Sequence, residues 1–196
     1  MRLKAEQAEA TRAALVSAAR ELFGERGYAA VGTEEIVQRA RVTRGALYHH
    51  FDGKEGLFGA VVEIVEAELT QRIGEQVAQK AAADPLAALR AGADAFLDAS
   101  AEPEVQRIIM LDAPSVLGWE QWREIAERYG LGLVIAVLDA AMDAGALTRR
   151  PVRPLAHILI GAIDEGAMLV ARADDDGQTR REVGETIEAL LSGLRA

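Results

Sequence analysis

Apolar residues recur along this chain at intervals of three and four. Leu15, Ala18, Ala19, Leu22 and Phe23 form one such series, and Val183, Ile187, Leu190, Leu191 and Leu194 form another. That period gathers them on one face of a helix. Alternating β-branched runs bounded by turn residues are missing, which argues against a sheet. Helix breakers divide the pattern. Gly24 and Gly27 end the first helix, Thr33 opens the second, and short breaks follow at Arg41-Val42 and Asp52-Gly53. A long helix is expected from Lys54 to about Ala82, stopped by Asp84-Pro85. Glu102-Pro103, Ala113-Pro114 with Gly118, Gly145, Pro151 with Pro154, and the run Asp174-Asp175-Asp176-Gly177 separate the rest. The expectation is an all-α protein of about nine helices with short connections. A seam near residue 55 divides a head (1–55) of three short helices from a larger helical body (56–196).

Residues 33–51 read TEEIVQRARVTRGALYHHF. A helix of about eight residues, a turn of about three and a helix of about seven make a helix-turn-helix. Thr43 can cap the second helix through its hydroxyl. Ile36, Val37, Ala40, Val42, Leu47 and Phe51 can meet as a small core, with Leu47 and Phe51 one turn apart. Arg44, Gly45, Tyr48 and His49 are then left on the outer side, with His50 toward the rim. Donors and an aromatic on so short a helix suit a DNA major groove.

Thr33, Val42-Thr43, Leu47-Tyr48-His49-His50-Phe51 and Lys54-Glu55 together resemble the TetR family of transcriptional regulators over about residues 10–60. The resemblance implies roles at matching positions. Arg44 and Gly45 would lie at the start of the recognition helix, with Arg44 contacting a base. Tyr48 would meet a phosphate or a thymine methyl, and His49 and His50 the DNA backbone. Thr33 and Lys54 would hold phosphates at two helix N-termini, where free N–H groups favour an anion. Arg41 stands where the family often has glycine, which implies a non-glycine residue at positive φ. Val37 stands in place of a usual alanine, and Glu34 adds a negative charge near the DNA.

Charge looks unfavourable for nucleic acid at first, since the chain carries a net −9. Its distribution changes the picture: residues 1–60 carry a net +1 and residues 61–196 a net −10. An acidic body thus bears a near-neutral head. Charged residues interrupt every apolar run, so no membrane span is expected, and no signal-peptide pattern opens the chain, so a cytoplasmic location is. There is no cysteine, which excludes disulfides and thiolate chemistry. His49 and His50 point about 100° apart on a helix and cannot chelate one ion together, and His157 is distant in sequence; neither a metal nor a cofactor is expected. The four serines lie in no nucleophile elbow, so no catalytic residue is expected and the chain does not read as an enzyme.

In the body, Trp119 and Trp122 share a helix face. With Phe96, Met110, Leu117, Tyr129 and Met168 they are candidates to line an apolar ligand pocket, although ordinary core is the commoner place for any one of them. Asp164 and Glu165 interrupt an apolar helix; buried, Asp164 needs a partner or a cationic ligand, and it too is a candidate ligand residue. Small residues Gly161, Ala162 and Gly166 with Ile158 on that helix, and Ile187 and Leu191 on the next, are candidates for a four-helix dimer interface.

The resemblance implies a homodimeric one-component repressor that binds a palindromic double-stranded operator and is released by a small-molecule effector. The alternative is a helical ligand-binding protein whose head binds no DNA. An enzyme with its active site in the body comes last, because only scattered carboxylates are seen there.

Overall fold

The computed structural model describes residues 2–81, 84–175 and 177–195. Among them are ten α-helices and one π-helix, and the sole β-type contact is an isolated bridge between Leu147 and Arg195. The all-α expectation holds. The helices are α1 (Arg2–Arg26), α2 (Thr33–Ala40), α3 (Arg44–His50), α4 (Gly53–Ala81), α5 (Pro85–Ser100), α6 (Pro103–Val105), a π-helix (Gln106–Asp112), α7 (Ala113–Val116), α8 (Trp119–Asp143), α9 (Val152–Arg172) and α10 (Gln178–Ser192). Most breakers act where the sequence puts them, but Ala113-Pro114 leaves the helical run from Pro103 to Val116 uninterrupted and Pro154 lies in the first turn of α9, where a missing amide costs little. Gly24 lies inside α1, and the helix ends at Arg26: the Gly27 amide still donates to the Phe23 carbonyl at 2.8 Å, and the Gly27 φ of 79° turns the following chain out of the helix. The expected end of α4 at Ala82, and Asp176 of the acidic run, lie outside the described residues.

Packing divides the chain differently from the seam at residue 55. One unit comprises Met1–Val65 together with Pro103–Trp122; the other comprises Glu66–Glu102 and Arg123–Ala196. The boundary thus falls within α4 and within α8.

In the first unit Leu15, Leu22, Phe23, Ile36, Leu47, Leu57 and Phe58 are fully buried. Phe23, Tyr28 and Phe58 form an aromatic cluster with ring centroids 5.0–5.6 Å apart. The distant segment Pro103–Trp122 is bound to it by named polar contacts. Arg20 grips Glu104 through two bonds, Nε to Oε1 at 2.7 Å and Nη2 to Oε2 at 2.8 Å. The Tyr28 amide donates to Asp112 Oδ2 at 2.7 Å, from the end of the π-helix.

The second unit packs α5, α9 and α10 against one another. Asp84 caps α5, accepting from the amides of Leu86 and Ala87 at 2.9 and 3.1 Å. Gly166 sets the spacing of α9 and α10: a Cβ there would stand 2.7 Å from Val183 Cγ1. By length and composition α9 could cross a bilayer, but half of its apolar window is buried within the fold. Core packing accounts for that apolarity.

Candidate nucleic-acid interface and ligand cavity

The helix-turn-helix forms as its residues dictate. Arg41 ends α2 at φ 56° and ψ 40°, the left-handed conformation expected of a glycine position. Its amide and that of Val42 close onto the carbonyls of Gln38 and Val37 at 3.2 and 3.0 Å. Thr43 then caps α3, its hydroxyl accepting from the Ala46 amide at 3.2 Å. Ile36, Val37, Leu47 and Phe51 are buried as the core of the motif, while Ala40 and Val42 are half-buried.

Arg44, Gly45, Tyr48 and His49 are exposed on one side of α3, with His50 half-buried beside them. The Arg44 guanidinium lies 5.6 Å from the Tyr48 ring centroid, and Tyr48 is 52% exposed, high for so large a ring. Thr33 is half-buried as the first residue of α2.

Lys54, for which the resemblance implies a phosphate contact, has partners within the head itself. Its Nζ donates to the carbonyls of Tyr28 at 2.9 Å and Val31 at 3.0 Å and stands 3.9 Å from the Tyr28 ring centroid. Burial lowers its pKa, with Asp112 opposing. The ammonium closes the loop after α1, a partner that one-dimensional reading cannot supply.

The second unit contains a cavity of about 100 Å³. Its walls are aliphatic side chains from α4, α5, α8, α9 and α10 together with Phe96, and its ionisable lining residues are Glu66 and Asp164. Of the candidate pocket residues, Phe96 and Asp164 reach it. Met110, Leu117, Trp119 and Trp122 belong instead to the first unit, where Met110 and Trp122 are buried and Trp119 is 56% exposed. Tyr129 is half-buried and Met168 buried, and neither lines the cavity. Aromatic side chains are as useful in a core as in a pocket, so residue type alone does not separate the two.

Asp164 is 4% exposed and Glu165 exposed, which settles what the apolar pattern of α9 left open. Arg123 Nη1 donates to Asp164 Oδ2 at 2.8 Å, Nε to Glu127 Oε1 at 2.9 Å and Nη2 to the His157 carbonyl at 3.2 Å. Burial raises the Asp164 carboxyl to about 7 despite Arg123, and Glu127 adds to the rise. For Glu127 burial also acts upward, but bonds from Arg123 and His157 outweigh it and hold that pKa below the usual range.

Sequence reasoning missed Glu66. It is 5% exposed, and burial followed by the nearby Asp164 raises its pKa to about 7. The signal was present: Glu66 interrupts the stripe Val62, Leu69, Ile73 and Val77 on α4.

The candidate dimer residues separate into two groups. Ile158 is 68% exposed and Ala162 half-buried, alongside exposed Leu169 and Leu190. Gly166, Ile187 and Leu191 face inward instead: Gly166 abuts Val183, Ile187 and Leu97, Ile187 is buried, and Leu191 lines the cavity. Gly161 faces Arg123. Periodicity identifies residues that share a face, not which face meets solvent.

A three-helix head presenting a capped, exposed α3 defines a helix-turn-helix DNA-binding protein. Known proteins carry the same architecture. Residues 15–61 match the family "Bacterial regulatory proteins, tetR family", and residues 86–194 match "Tetracyclin repressor-like, C-terminal domain". A solved TetR-family transcriptional regulator from Pectobacterium atrosepticum is 33% identical, with a TM-score of 0.87 over 97% of both chains. The transposon Tn10 TetC protein of Escherichia coli is 28% identical over 80% of this chain and 78% of its own length. The HTH-type transcriptional regulator AcrR of Shigella flexneri is 33% identical over 54% of this chain and 48% of its own. The chain belongs to the TetR family of transcriptional regulators.

Proposed function

We propose that the protein is a homodimeric one-component repressor, working in the cytoplasm, whose two heads read a palindromic operator and whose cavity takes the small molecule that releases it. The exposed polar side of α3, held by the Thr43 cap and the Arg41 turn, carries the DNA-binding part of this reading. Two such helices would enter successive major grooves about 34–36 Å apart, or a multiple of that spacing. Arg44 is the base-reading donor, and Tyr48, His49, His50 and Thr33 meet the sugar-phosphate backbone. The apolar face of Ile158, Ala162 and Leu169 on α9 with Leu190 on α10 supports dimerisation through a four-helix interface.

The apolar cavity supports effector binding in the second unit. Lys54 and Glu66 are carried by the same helix, so α4 is the element through which an effector would act. Release requires that the effector bind one conformer of the protein more tightly than the other.

The test is fluorescence anisotropy with labelled duplexes from the DNA upstream of the protein's own gene, using wild type and Arg44→Ala. Wild type should select one palindrome, and the variant should lose about 1–3 kcal/mol of discrimination at one base pair per half-site. Equal binding of wild type to every duplex would overturn the repressor reading and favour a ligand-binding protein with an unused head.

A further inference from the structure

Glu66 differs from the buried Asp164 in one respect: among the described residues no protein donor reaches it. Among the described residues it has neither a hydrogen bond nor an ion pair, although it is 5% exposed and lines the cavity. A buried carboxyl without a partner is costly, and such groups persist where something else meets them. The charges around it are unbalanced in one direction. Asp164 on α9 is the charged neighbour that acts on it, and the partner of Asp164, Arg123 on α8, is shared with Glu127, which also meets the His157 ring at 3.1 Å. No ionisable side chain lines the cavity from α5, α8 or α10, and none besides Glu66 does so from α4.

We infer that the cavity is built for a small lipophilic amine, bound as its ammonium ion with Glu66 as counter-ion.

An anionic ligand would meet carboxyls without a compensating cation in the wall. A neutral hydrocarbon would leave Glu66 as unsatisfied as before. An ammonium supplies both the charge and the donors, while Thr70, one turn along α4 and also in the lining, offers a hydroxyl to a second N–H. The aliphatic wall takes the hydrocarbon part. Its size is limited: an apolar cavity of about 150 Å³ in another protein accepts benzene, so about 100 Å³ here suits a body smaller than an aromatic ring, such as a short branched alkyl group.

This rests on the reading of the cavity as the effector site, and one probe series separates the two. Isobutylamine, isobutanol and isobutyrate share a branched alkyl group and differ in charge. Titration calorimetry on the full-length chain at pH 7.5 should show isobutylamine binding at least tenfold more tightly than isobutanol, with isobutyrate undetected. Glu66→Gln should lose that preference and keep, or improve, the binding of isobutanol. Wild type provides a check that needs no variant. Isobutylamine should bind more tightly at pH 8 than at pH 6, as Glu66 ionises in the field of Asp164, Arg123, Glu127 and His157. Isobutanol binding as tightly as the amine, or an amine affinity unmoved by pH or by Glu66→Gln, would overturn the amine class while leaving the cavity a ligand site. Failure of all three probes to bind wild type would overturn the cavity reading itself.

Discussion

Replacing Arg41 by glycine should stabilise the first unit, an unusual outcome for a substitution in a DNA-binding motif. Arg41 holds φ 56°, where its Cβ crowds the following carbonyl at a cost of about 1–2 kcal/mol. Its side chain is exposed and makes no hydrogen bond or ion pair among the described residues, so shortening it forfeits no contact. Glycine removes the strain but loses about 0.4–1 kcal/mol through the greater freedom of the unfolded chain. The balance is a gain of about 0.5–1 kcal/mol. Both tryptophans of the chain, Trp119 and Trp122, belong to this unit, so tryptophan emission during urea unfolding follows it selectively. With a urea slope of about 1–2 kcal/mol/M, the midpoint should rise by roughly 0.5 M. Arg41→Ala is the control. It also shortens the side chain but keeps the Cβ, so its midpoint should stay at or below that of wild type. A glycine variant no more stable than the alanine variant would refute the strain argument.

Lys54→Met should lower the same fluorescence midpoint by about 1–2 kcal/mol in free energy, since two carbonyl bonds and the contact with Tyr28 are lost. The salt dependence of DNA binding should be unchanged, because the ammonium is held inward; a slope shallower by about one would restore the phosphate contact. A pH series addresses Glu66. Its folded pKa, raised from 4.5 to about 7, means that the unfolded chain releases the proton first. Stability from this group is therefore present below about pH 4.5 and lost as pH rises toward 7, by about 3 kcal/mol. Compared with Glu66→Gln by circular dichroism melting, wild type should gain roughly 5–10 °C of relative stability between pH 8 and pH 5. Parallel curves would show that Glu66 does not titrate in this range.

The head was legible because its determinants are local. Thr33, Arg41, Thr43 and the residues of α3 span fewer than twenty positions, so turn, cap and exposed face can all be read from neighbours. Lys54 shows where that ends. Its partners lie 23 and 26 residues back, on a loop whose path depends on the aromatic cluster. The cavity was less legible still. Its walls come from five helices and consist of aliphatic residues that are indistinguishable in sequence from core. The conspicuous tryptophans belong to the other unit, while the informative residue was a single acid within an apolar stripe. The π-helix at Gln106–Asp112 left no trace in a pattern read for a period of 3.6.

Anyone building hybrid regulators from this scaffold meets a practical constraint. A graft of residues 1–65 onto a foreign body would leave behind Glu104 and Asp112, and with them the grip on Arg20 and the acceptor for the Tyr28 amide. The portable module is two pieces of chain, Met1–Val65 and Pro103–Trp122. A recipient protein has to accept both, or supply its own acidic groups at those two points.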